Sequence, residues 1–131
     1  MIAYVDTNIV VRHLTNDPPG QARSATAILE NAERLILTDV VVAELVYVLE
    51  SFYRQPRKTI AVSVQSLLAL DPIAVADHDL LLRAIELYEH ARLDFAEAYL
   101  AAAAELSGVE SVASFDRTLD RVDTIRRVHR A

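Results

Sequence analysis

The chain has 131 residues, 53% of them hydrophobic, with 19 Asp and Glu against 13 Lys and Arg and no cysteine. That length and apolar share predict one domain, residues 1–131, with a sizeable core, while the lack of cysteine excludes disulfides, thiolate zinc sites and a thiol nucleophile and fits a reducing cytoplasm. The net charge of −6 disfavours indiscriminate phosphate-backbone binding, and two glycines, Gly20 and Gly108, are too few for a P-loop or a dinucleotide fingerprint.

Ile2 to Val5 reads as a short core strand, followed by a helix from about Asn8 to Leu14. The N-terminus lacks a basic segment followed by a long apolar one, so no signal peptide is expected. "NDPPGQ" is a turn, and Pro18 and Pro19 start a second helix running to about Ala32. "RLILTD" is strand two, closed by Thr38 and Asp39 as caps, and "VVVAELVYVLESFY" is a third helix ending before Pro56. "KTIAVSVQSLLAL" reads as a fourth helix and "PIAVAD" as strand three. Two further helices follow, "DHDLLLRAIELYEHA" and "DFAEAYLAAAAELSG", the second stopped by Gly108. "SVASFD" is strand four, and "TIRRVH" reads as a fifth, edge strand. Such alternation predicts an α/β fold: a parallel sheet of four to five strands with helices on both faces. No apolar run reaches eighteen residues, so no membrane span is expected. Repeats, low-complexity stretches and linkers are absent, and no internal boundary is drawn.

The chemistry lies in the acids. Asp6 has two readings: a cap of the strand-to-helix turn "DTN", or a ligand at the carboxyl end of a strand, where open α/β sheets collect ligands. Glu44 has Val40, Val41, Tyr47 and Val48 three and four positions away, which predicts a buried face and a need for a cation or a donor from elsewhere in the fold. A distant arginine is the bland alternative. Ordinary acids look different, because Glu30 has Arg34, Glu50 has Arg54, and Glu86 has Arg83 and His90. Asp94 and Glu97 have capping-box spacing, and Asp116 follows a strand and is placed to cap a helical turn. If strands one and four are neighbours, Asp6 and Asp116 reach one crevice. No G-x-S-x-G elbow is present, and His13, His78, His90 and His129 lack H-E-x-x-H spacing. Clustered carboxylates repel unless a cation relieves them. Oxygen-only ligands select Mg²⁺ or Mn²⁺, and such an ion activates water and stabilises charge on a phosphodiester.

"YVDTNIVVRHL", "TDVVVAEL", "LDFAEAYLAAAA" and "SVASFDR", in that order, resemble the PIN-domain ribonucleases, specifically the VapC-type toxins of bacterial toxin–antitoxin pairs. The resemblance implies a three-layer α/β/α sandwich and Mg²⁺- or Mn²⁺-dependent endonucleolytic hydrolysis of RNA by metal-activated water. By that likeness Asp6, Glu44, Asp94 and Asp116 are the catalytic, metal-binding quartet, and Thr7, Asn8 and Ser114 orient the carboxylates. Glu97 stands where the family commonly has a second aspartate; its longer side chain reaches a second metal or closes the capping box. A homodimer and a cognate antitoxin protein are further implied. Two other functions compete with this one. A haloacid-dehalogenase-like phosphatase would use Asp6 as nucleophile, but Asn8 replaces its second aspartate and Lys58 is the only lysine. A non-catalytic α/β interaction module would use the acids as caps and ion pairs. Arg12 is placed to hold substrate, a dimer neighbour or Asp17. "RQPRK", Arg54 to Lys58, is a solvated turn or a guide for RNA, and Tyr47, Tyr53 and Tyr99 are assigned to packing.

Overall fold

The opening apolar run becomes strand β1, Ile2–Tyr4, which pairs in parallel with β2, Arg34–Ile36, placing Ala3 opposite Leu35. In the computed structural model, which describes residues 1–131, the chain divides into two compact units, Met1–Ala76 and Asp77–Ala131.

In the first unit, β3 (Ile73–Ala74) extends the sheet in parallel on the free side of β2, giving the order β1-β2-β3. Parallel neighbours require crossovers. Helices α1 (Thr7–Thr15) and α2 (Pro19–Asn31) make the first, and α3 (Asp39–Ser51) and α4 (Arg57–Leu68) make the second. Pro19 opens α2, where its missing N–H would have had no helical partner. Thr38 caps α3, its Oγ1 accepting from the Val41 N–H at 3.3 Å, and Asp39 in the first turn complements the helix dipole. The core face of α3 is Val42, Leu45, Val46 and Leu49, at i, i+3, i+4 and i+7. These four pack in a core that also holds Leu35 and Leu37, flanking Ile36 on the central strand.

The second unit begins with α5 (His78–His90) and α6 (Phe95–Ser107), which pack against each other. Asp77 caps α5 through the Leu80 N–H at 3.1 Å. The small buried residues Ala98, Ala101 and Ala102 let the α5 backbone approach closely, and Tyr88 meets Phe95 edge-on with centroids 6.5 Å apart. At φ +79°, Gly108 ends α6 in the left-handed region, where a side chain would be strained. Strand β4 (Ser111–Ala113) then pairs in parallel with β5 (Arg126–Val128), and a short 3-10 turn, Arg117–Arg121, lies between them.

Arg83 on α5 grips Glu105 on α6 in a two-pronged pair at 2.8 and 3.0 Å, also donating to Glu86 at 2.7 Å, while the Thr124 hydroxyl donates to Glu105 at 2.6 Å. The Arg83 hydrogen bonds hold the Glu105 carboxyl below the usual carboxylate range, with Thr124 adding to the effect. A carboxyl whose folded pKa is depressed gives stability above its unfolded pKa, and that stability is lost as pH falls through the folded value. Glu105→Gln is therefore expected to cost about 1 kcal/mol near neutral pH, a figure discounted for partial solvent screening. The gap to wild type should close in acid, as read from urea unfolding at a series of pH values. A gap that persists below the carboxylate range would show that the pair's charge is not what stabilises this junction.

Two sequence expectations need correction. Instead of one sheet of four to five strands, the structure holds a three-stranded and a two-stranded parallel sheet. Alternating apolar segments set the number and parallel sense of strands, but not which edges share hydrogen bonds. Tyr47, expected to pack, is 67% exposed, because the face of α3 opposite its core stripe is also apolar. No helix is long and apolar enough to cross a membrane.

Candidate metal centre

Asp6 stands where β1 ends and α1 begins. It has extended backbone, and its Oδ1 accepts the Thr7 N–H at 2.8 Å. This is a capping bond, and it occupies only one carboxylate oxygen. Helical spacing then decides what surrounds it. Thr7 and Val11, and Asn8 and Arg12, are i,i+4 neighbours on α1, as Glu44 and Val48 are on α3. Together with Asp6 these six residues line one open cavity of about 230 Å³. Asp6 and Glu44, far apart in sequence, therefore share a pocket within the first unit. Thr7 is buried beneath it, while Asp6, Asn8 and Glu44 are exposed.

Glu44 was expected on a buried face and is not there. Val40, one turn earlier on the same side of α3, is 76% exposed, so apolar neighbours at helical spacing do not imply burial on a helix that is apolar all round. Arg12 was a minor candidate in the sequence, yet it lines the same pocket. Its Nε donates to Gln21 Oε1 at 3.0 Å, whereas Asp17, its suggested partner, accepts from the Tyr53 hydroxyl at 3.0 Å. The i,i+4 relation to Asn8 was the signal that could have placed it.

In the second unit, Asp94 occupies the N-cap of α6 but makes no side-chain capping bond, so the capping-box reading lacks its first hydrogen bond. Glu97 lies in the first turn of α6 and is half-buried. Asp116 follows β4 and does cap the 3-10 turn. Its Oδ1 takes both the Thr118 N–H at 2.9 Å and the Thr118 hydroxyl at 2.7 Å. The Thr118 hydroxyl and N–H hold the Asp116 carboxyl below its ordinary value, and Arg121 and Arg127 add to the effect. Ser114 sits behind it, its Oγ accepting the Asp116 N–H at 2.9 Å, and Arg127 braces the Ser114 carbonyl at 3.2 Å while gripping Asp120. Thr118 escaped sequence reasoning, although the D-x-T spacing that forms such a clamp was present.

Neither unit by itself gathers three or more His, Cys, Asp or Glu side chains able to hold a metal ion. The donors that line the first pocket, two carboxylates with an amide and a hydroxyl, are nonetheless the hard oxygen set that suits Mg²⁺ or Mn²⁺ and not zinc.

The sequence matches the PIN domain family over residues 3–125, a span that covers parts of both units. Among solved structures the chain is similar to VapC20 of Mycobacterium tuberculosis, described as a sarcin-ricin loop cleaving toxin, at 18% identity over 92% of this chain and 93% of that one, with a TM-score of 0.42. It is also similar to VapBC2 of Rickettsia felis, solved bound to a DNA fragment from their promoter, at 16% identity over 98% of each chain, with a TM-score of 0.40. No curated protein matches it.

Proposed function

The chain belongs to the PIN domain family, and from that premise we propose that it is a Mg²⁺- or Mn²⁺-dependent endoribonuclease, the toxin of a toxin–antitoxin pair, acting in the cytoplasm as a homodimer restrained by a cognate antitoxin. The observation that carries the proposal is the shared pocket of Asp6 and Glu44. Residues 1–131 act as one PIN domain, a reading supported by a family match that runs unbroken across both units. Asp6, Glu44, Asp94 and Asp116 supply the carboxylate ligands, with Glu97 as a further one.

When bound, the cation supplies Lewis-acid stabilisation of developing phosphate charge and lowers the pKa of a water. The chain's own residues prepare for it. The Thr7 N–H fixes Asp6 by one oxygen, leaving the other for the pocket, and Thr118 likewise holds Asp116 by one oxygen. Asn8 contributes an amide, and Arg12 brings a permanent positive charge suited to a phosphodiester. The exposed apolar side chains Val40, Tyr47 and Phe52 support a surface that a protein partner covers.

Two experiments test this. RNA incubated with the protein and Mn²⁺ is expected to be cut, EDTA to stop the cutting, and excess Mn²⁺ to restore it; Mn²⁺ should also raise the melting temperature by mass action. Cutting that survives EDTA, or a protein that neither cuts RNA nor responds to Mn²⁺, would overturn the proposal, the second outcome favouring an interaction module. Thr118→Val should weaken Mn²⁺ binding roughly tenfold, the lower end for a lost orienting partner, and Thr118→Ser should restore it; equal affinities in a calorimetric titration would deny the clamp its role.

A further inference from the structure

Phe115 is 87% exposed, more than any other large apolar side chain of the protein. A benzyl ring left in solvent adds nothing to the core, and this one does not hang from a slack loop. On its N-terminal side the Ser114 N–H donates to the Val128 carbonyl at 3.0 Å, and Arg127 donates to the Ser114 carbonyl at 3.2 Å. On its C-terminal side the Asp116 N–H is held by Ser114 Oγ at 2.9 Å. The ring is thus presented from a fixed backbone.

Because β4 and β5 are parallel, with Ala113 opposite Val128, their carboxyl ends lie side by side. Phe115, just beyond β4, and His129 and Arg130, just beyond β5, line one open cavity of about 380 Å³, with Ala113, Ser114 and Val128 contributing to its walls. An aromatic face beside a guanidinium and an imidazole is a combination that holds a single-stranded nucleic acid, the base stacking on the ring and a phosphate pairing with the guanidinium. Phe115 also immediately precedes Asp116.

Resting on the ribonuclease function proposed above, we propose that the cavity between Phe115, His129 and Arg130 is a subsite for an unpaired RNA base, with Phe115 as its stacking platform and Arg130 as its phosphate contact. The subsite favours single-stranded or flipped-out nucleotides beside the cut. It tolerates different bases, because every base has a π-face to stack.

The chain has no tryptophan, so Phe115→Trp installs a fluorophore that reports on this cavity alone. In an Asp6→Asn background, which leaves RNA intact, a short single-stranded RNA oligonucleotide is expected to quench that emission to saturation. In the same background Phe115→Ala should bind the oligonucleotide roughly ten- to a hundredfold more weakly, the usual worth of one base–aromatic stack, with an unchanged salt slope. Arg130→Gln should make the salt slope shallower by about one. Emission that ignores saturating RNA, or undiminished affinity in Phe115→Ala, would overturn the subsite. So would a change of sedimentation mass in Phe115→Ala with RNA affinity intact, which would make the ring a contact between copies of the chain. If wild type cleaves RNA and only the contribution of the ring is missing, the subsite alone has failed; if wild type neither binds nor cleaves RNA, the ribonuclease function has failed with it.

Discussion

Asp6→Asn is expected to lower Mn²⁺-dependent RNA cleavage roughly a hundredfold or more while leaving the fold in place. The two effects separate because the Asp6 carboxylate caps α1 and, in the function proposed above, also binds the cation. Its Oδ1 accepts the Thr7 N–H at the start of α1, and an asparagine carbonyl accepts the same bond, Asn and Asp being nearly equivalent as N-caps. Helix α1 should therefore keep its stability to within about 0.5 kcal/mol. What asparagine cannot supply is the negative charge facing the pocket, which is what draws a divalent ion. Asp6→Ala removes both and should lose about 1 kcal/mol as well. Cleavage assays beside thermal melts of wild type, Asp6→Asn and Asp6→Ala read this out. Full activity in Asp6→Asn would reduce Asp6 to a cap.

Leu45→Ala should destabilise the protein by roughly 2–5 kcal/mol, the range for emptying a fully buried leucine site. Leu45 has no exposed surface and lies on the core stripe of α3. Against a total stability of about 5–15 kcal/mol for a typical domain, that loss is large. Its neighbour Glu44 makes the contrast. It points out of the same helix into the pocket with Asp6, so Glu44→Gln should unfold in urea as wild type does while losing most of the Mn²⁺-induced rise in melting temperature. A destabilised Glu44→Gln would return Glu44 to a structural role.

Glu44 also marks where sequence reading stops. Its apolar neighbours argued for burial, and burial argued for a cation. The structure keeps Glu44 near Asp6 but in the open, since the face of α3 that bears Val40 and Tyr47 is apolar without being core. Periodicity identified the elements well, because caps and breakers are local: Thr38, Asp77, Pro19 and Gly108 stand at the helix ends their chemistry predicts. Strand partnership is not local, and a chain of two- and three-residue strands gives no pattern from which to read that β4 pairs with β5 and β1 with β2. The Arg83–Glu105 pair escaped for the same reason, as its partners lie on different helices. Among the acids, Asp6 and Asp116 do the capping work that was the alternative to a ligand role, each with one oxygen. Asp94, whose capping-box spacing also read as a cap, makes no side-chain capping bond.

Manganese binding, followed through the resonance of the free ion during titration, puts the shared carboxylate set to its most direct trial. Wild type should take up Mn²⁺, and Asp6→Asn, Glu44→Gln, Asp94→Asn and Asp116→Asn should each weaken the same binding event by roughly tenfold or more. Uptake that is absent from wild type, or that remains at wild-type affinity in Asp94→Asn and Asp116→Asn, would contradict it.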